Sequence, residues 1–260
     1  MNAGMPKYPW LATVLQLFCV ASVFSATPVP VSAPAGSSSP TPTFTLLYEV
    51  ENPQLTLLTV LGGEGRVRIN GASTGTRNQT AQMAQVLTRK GFAPLRINVV
   101  VFDSPVELFP PRVRAEPDHL DRVESVVRFY QDRFKTPVWM LGHSNGTVSA
   151  TEYLARKQAA TPVAGVVLSG SVYQINLKDG MNLPLLFLHH EEDGCKNTPF
   201  SHARRNFEQA KGFNKALTEL LVVNGGEERG DPCRDGKHMY LGAYEEAARQ
   251  LADFLVRAVK

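Results

Sequence analysis

Gly142-His143-Ser144-Asn145-Gly146 is the stretch whose residue types and spacing point most directly to chemistry. The apolar run Val138-Trp139-Met140-Leu141 precedes it and a helical pattern follows, so the five residues predict a sharp strand-to-helix turn. Glycines at both ends let strand and helix approach closely around a residue held in a strained backbone conformation. Ser144 then stands at the tip with its hydroxyl exposed. A serine hydroxyl is a poor nucleophile at neutral pH until a base takes its proton. Histidine suits that task because its pKa lies near neutrality, and a carboxylate is needed to hold its tautomer and stabilise the imidazolium. The chain offers His119, His143, His189, His190, His202 and His238 as bases, and Glu191-Glu192-Asp193 as an acidic turn.

Such groups act together only if the backbone brings them to one place. From Thr43 onward apolar strands alternate with amphipathic helices. Strands are expected at 44–50, 55–61, 96–102, 138–141, 163–169, 183–189 and 217–223. Helices are expected over about 80–90, from Asp118, after the serine turn to Arg156, from Pro199 with Thr198 as N-cap, and at the carboxyl end. The second of these repeats Leu120, Val123, Val126, Val127, Tyr130 and Phe134 at helical spacing. Near-continuously apolar strands alternating with helices imply a mostly parallel sheet with helices on both faces, a three-layer α/β sandwich. The short connection between Ser169 and Leu183 leaves no room for a helical lid domain.

The rest of the chain sets boundaries. Residues 1–25 carry Lys7, an apolar run from Trp10 to Phe24 and small residues after it, the pattern of a cleaved secretory signal peptide. The run is shorter than the ~20 residues a membrane span needs, so no stable membrane insertion is expected after its removal. Residues 26–42, rich in Pro, Ser and Ala, read as a flexible linker to a domain at 43–260. A net charge of +3 without a basic cluster gives no nucleic-acid footprint. The Gly62-Gly63-Glu64-Gly65 loop lacks the Gly-Lys-Ser/Thr ending of a phosphate loop. No residues show metal-ligand spacing, and no cofactor is expected. Arg229-Gly230-Asp231 is a chance tripeptide in a Gly-rich loop, and a sugar on Asn145 would block the turn.

With these residues in hand, the chain from about residue 43 resembles the α/β-hydrolase superfamily, and in particular its small, lidless, exported bacterial serine hydrolases. The resemblance rests on 61–65, 137–147, His189-His190-Glu191-Glu192-Asp193-Gly194-Cys195, and Cys233 ahead of His238. In that fold the nucleophile, acid and base follow in this order, each after a strand. The resemblance therefore implies Ser144, Asp193 and His238, with Glu192 and Glu191 in reserve for the acid. His238 alone among the histidines follows the last strand. His143 is expected to pack beside the serine, while His119 and His202 fall on helix surfaces. The oxyanion hole would combine the Asn145 amide with that of Gly63 or Glu64. Leu61 stands where many lipases and esterases carry histidine, and Met239 where a small residue is common.

Cys195 and Cys233 can pair in an exported protein, and the bridge would tie the acid loop to the base loop. The expected function is secreted or periplasmic hydrolysis of a small carboxylic ester through an acyl-enzyme. A thioesterase, lactonase, amidase or peptidase with the same residues remains open, as does a binding protein on the same fold. The expected partner is a small acyl substrate; sequence leaves the oligomeric state open.

Overall fold

The strands are the most apolar stretches of the chain, and that is why they end up covered on both sides. A computed structural model describes residues 26–69, 79–157, 160–179 and 181–259, together with Met1. Eight strands form one sheet: β1 (Thr27–Val31), β2 (Thr43–Tyr48), β3 (Leu55–Val60), β4 (Ile97–Asp103), β5 (Val138–His143), β6 (Gly165–Ser169), β7 (Leu185–His190) and β8 (Thr218–Val223). Their spatial order is β1-β2-β4-β3-β5-β6-β7-β8. β2 runs antiparallel to β1 and β4, and the remaining pairs are parallel.

Successive side chains of a strand point to opposite faces, so each strand feeds two cores. Leu57, Val99, Trp139 and Leu141 pack toward α1 (Gln79–Thr88) and α5 (Tyr244–Ala258). Leu58, Val100, Met140 and Phe187 pack toward α2 (Pro117–Phe134), α3 (Gly146–Lys157) and α4 (Phe200–Phe213). The result is the three-layer sandwich the alternation implies. Between β6 and β7 the described residues contain no helix, so no lid domain is inserted there.

Two expectations need correction. Residues 26–42 are not a free tether, because Thr27–Val31 forms the edge strand β1 against β2. Val29 and Val31 turn inward while Pro28 and Pro30 alternate with them, a pattern an edge strand tolerates because its outer side needs no N–H donors. Beyond β1, the wholly buried Arg122 donates to Ser37 Oγ and to the carbonyls of Ser39 and Thr41, which fixes the Ser/Pro stretch to α2. Nor does Thr198 cap α4. Pro199 holds the N-cap position, and no side chain caps the helix. The proposed signal segment lies outside the described residues.

Candidate active site

The topology puts the loops after β3 and β5 side by side, since these strands are neighbours and both run toward the same edge. At the end of β5 the chain turns sharply. Ser144 takes a left-handed backbone with φ 54°, a strained conformation for a residue with a side chain. The flanking glycines are needed for contact rather than for flexibility. A Cβ on Gly142 would meet Gly146 O at 2.4 Å, and one on Gly146 would meet Val60 O at 2.1 Å. The turn is fixed by Ser144 N–H donating to Ser169 O (2.9 Å) and by Thr147 Oγ1 donating to Ser144 O (2.6 Å). Ser144 stays half-exposed, and among the described residues its hydroxyl has no hydrogen-bond partner.

Asp193 and His238 come from the loops after β7 and β8, and the structure brings them together. His238 Nδ1–H donates to Asp193 Oδ2 at 2.8 Å, with both side chains 1% exposed. That contact leaves Nε2 as the nitrogen free to act as base. Asp193 Oδ1 accepts from the Cys195 amide at 2.9 Å, and Oδ2 also accepts from Thr198 Oγ1 at 3.0 Å. His189 completes the ring of donors. Its Nδ1 accepts from the Ser171 amide at 3.3 Å, so Nε2 carries the proton toward Thr198 O (2.8 Å) and Asp193 Oδ2 (3.1 Å). Burial pushes the Asp193 carboxyl up, but the hydrogen bonds from His189 and His238 outweigh it and hold the group below the usual carboxylate range. Asp193 therefore stays ionised.

The reserves for the acid are placed elsewhere. Glu191 and Glu192 are exposed, and Glu192 pairs with Lys237. Cys195 and Cys233 form a disulfide with Cα atoms 4.5 Å apart, joining the two loops that carry Asp193 and His238.

His143, the residue before Ser144, packs against His238. It is buried with its ring 4.8 Å from that of His238, its Nδ1 3.0 Å from Ser169 Oγ and its Nε2 3.1 Å from Met239 Sδ. Burial, then the neighbouring His238, holds its pKa well below the ordinary histidine value, so it adds no charge beside His238. His119, by contrast, is not on a surface. It is 2% exposed and touches Ser149 Oγ through Nε2 at 2.9 Å. The sequence of α2 alone does not show this, because the partner, Ser149, belongs to α3.

The glycine loop after β3 lies against the serine. A Cβ on Gly62 would stand 2.6 Å from Ser144 Cβ and 3.2 Å from its Oγ. The Gly65 amide is spent on Gly62 O, whereas those of Gly63, Glu64 and Asn145 have no acceptor among the described residues. Gly63 follows directly on the Gly62 contact, so it is the better placed of the two loop candidates. Arg114, in the short 3₁₀ turn Pro111–Ala115, reaches under this loop. Sequence reasoning missed Thr198, His189 and Arg114. Thr198 carried a signal in its place, five residues after Asp193; Arg114 carried none. Among the described residues no three His, Cys, Asp or Glu side chains converge as a metal site would need.

No family model matches the chain, and no curated protein matches its sequence. Solved structures do. A serine hydrolase without a lid from Xanthomonas campestris superposes with a TM-score of 0.57 at 13% identity, over 90% of this chain and 94% of the other. A dienelactone hydrolase from Anabaena variabilis gives 0.64 at 14% identity, over 90% and 98%. An α-β serine hydrolase homologue from Coxiella burnetii gives 0.57 at 14%, over 90% and 97%. At these identities the likeness carries the fold.

Proposed function

From a chain with the lidless α/β-hydrolase fold, we propose a serine hydrolase that cleaves a carboxylic ester or related acyl bond through an acyl-enzyme. The observations that carry the reading are the buried Asp193–His238 hydrogen bond, the His143 ring 4.8 Å from that of His238, and the next residue, Ser144, held at positive φ. In the reaction, Ser144 Oγ attacks the acyl carbon while its proton passes to His238 Nε2. Asp193 fixes the Nδ1–H tautomer and offsets the imidazolium charge. The amides of Asn145 and Gly63 receive the oxyanion. His238 then protonates the leaving group, and water activated by the same imidazole releases the acid.

The absence of a lid favours a small or medium acyl group over a substrate at a lipid interface. Lactones are the second class to test, because one of the superposable structures is a dienelactone hydrolase. Export by way of residues 1–25 fits the disulfide between the two loops. The test is hydrolysis of p-nitrophenyl esters of two to twelve carbons and of a small lactone panel, wild type beside S144A. Turnover by the wild type that falls at least about 1,000-fold in S144A supports the reading. Equal turnover by both proteins overturns it.

A further inference from the structure

Arg114 is wholly buried, and among the described residues no carboxylate pairs with it. Taking a charge out of water without a counter-ion is expensive, so the fold retains this one against a standing cost. Every group it touches is neutral. Nη2 donates to Gly63 O at 2.9 Å and to Gly62 O at 3.3 Å, and Nη1 donates to Ser149 Oγ at 2.9 Å. Its Nε is buried with no partner.

The surrounding proton pattern follows from that charge. Because Ser149 Oγ accepts from Arg114, its own proton goes to His119 Nε2, which must present a lone pair. His119 is accordingly neutral: burial, with Arg114 beside it, holds its pKa down to about 3. Arg114 itself is lowered by burial to about 10, which leaves it charged at neutral pH.

The two carbonyls it grips belong to the loop that lies against Ser144. In a trans peptide the C=O and N–H point in opposite directions. A cation that holds the Gly62 and Gly63 carbonyls on one side turns the N–H groups of Gly63 and Glu64 to the other. Those amides are the ones left without an acceptor among the described residues. The positive charge also polarises both peptides in the sense that makes their N–H groups better donors to an anion.

We propose that Arg114 is the positioning residue of the oxyanion site, orienting the 62–64 peptides toward the acyl oxygen beside Ser144 and strengthening their amides through its unpaired charge. The proposal rests on the serine hydrolase reading and adds to it a residue that never touches substrate. A merely structural arginine would affect folding and leave the balance between kcat and KM alone.

The experiment compares wild type, R114M and R114K by thermal melting, by p-nitrophenyl acetate kinetics and by the rate of fluorophosphonate labelling. Misplaced donors cost about 10- to 100-fold. Folded R114M should lose that much in kcat and labelling rate with KM within about twofold. R114K, which keeps the charge but not the planar fork, should fall between. Folded R114M with wild-type kcat and labelling overturns the proposal. If R114M fails to fold, R114K decides, and wild-type kcat in R114K is then the contradicting result. Absence of both turnover and labelling in the wild type would instead count against the hydrolase reading itself.

Discussion

Replacing Asp193 by Asn tests the acid assignment in a way the surrounding donors make quantitative. Asp193 Oδ1 accepts from the Cys195 amide, and Oδ2 accepts from His238, Thr198 and His189. An asparagine keeps one acceptor and gains two donors, so it has to choose. With its oxygen on the Cys195 amide, its NH₂ faces His238 Nδ1 and forces that ring to the Nε2–H tautomer, which cannot take a proton from Ser144. With the amide flipped, His238 keeps its tautomer, but the buried Cys195 N–H faces an NH₂ and loses its acceptor. Either orientation turns the NH₂ on former donors, Thr198 Oγ1–H and His189 Nε2–H in the first and the Cys195 amide in the second, at about 1–3 kcal/mol for each donor left unsatisfied, so neither holds His238 as the carboxylate does. Loss of the carboxylate charge beside the imidazolium adds to that, toward the ~10⁴-fold fall seen for the same change in a serine protease triad. The predicted result for D193N is a kcat between about 100- and 10,000-fold below wild type, with KM little changed. The assay is p-nitrophenyl acetate hydrolysis on protein whose melting curve shows a folded state. A folded D193N within threefold of wild type would refute the assignment of the acid.

Three further outcomes follow from the structure. Cys195 and Cys233 close a loop with sequence separation 38, so the C195S/C233S double variant should lose up to about 4 kcal/mol by chain entropy, read as a lower denaturant midpoint. Its kcat should fall too, because the acid and base loops lose their link. Stability should also decline with falling pH because of His119. Its folded pKa is depressed from 6.5 to about 3, so its contribution is full above 6.5 and is lost as pH falls through that window, at up to about 1.4 kcal/mol per pH unit. Urea midpoints from pH 7 to 4 measure the slope, and H119Q should flatten it; an unchanged slope would contradict the buried neutral assignment. Finally, G62A places a methyl 2.6 Å from Ser144 Cβ, so it should slow fluorophosphonate labelling at least about tenfold. Wild-type labelling by G62A would mean that the loop after β3 does not sit against the serine.

The layers of the fold were legible because most strands place apolar residues at successive positions, and so on both faces, as a sheet covered on both sides requires. β1 was not legible, since Pro28 and Pro30 argue against a strand unless one knows that it lies on an edge. At the site, local signals sufficed for the turn at Ser144, where two glycines are demanded by contacts with neighbouring backbone. The positions of Asp193 and His238 followed from chain order. What sequence did not disclose is the support around them: His189 and Thr198 on the acid, and Arg114 beneath the glycine loop. The Arg114 contacts span some fifty residues of chain, while His189 and Thr198 lie near Asp193 in sequence but meet its carboxylate only once the loop after β7 folds back on the strand end. Arg114 shows the point most plainly, because an arginine in a Pro/Arg-rich loop reads as solvated until the loop is seen folded against α3.

The central claim is that Ser144 is an activated nucleophile. Its most direct test is covalent labelling of the purified protein by a fluorophosphonate, followed by intact mass and peptide mapping, with S144A alongside. The account predicts one adduct per chain, located on Ser144 and absent from S144A. Folded wild-type protein that takes up no probe, or takes it up at another residue, would contradict it.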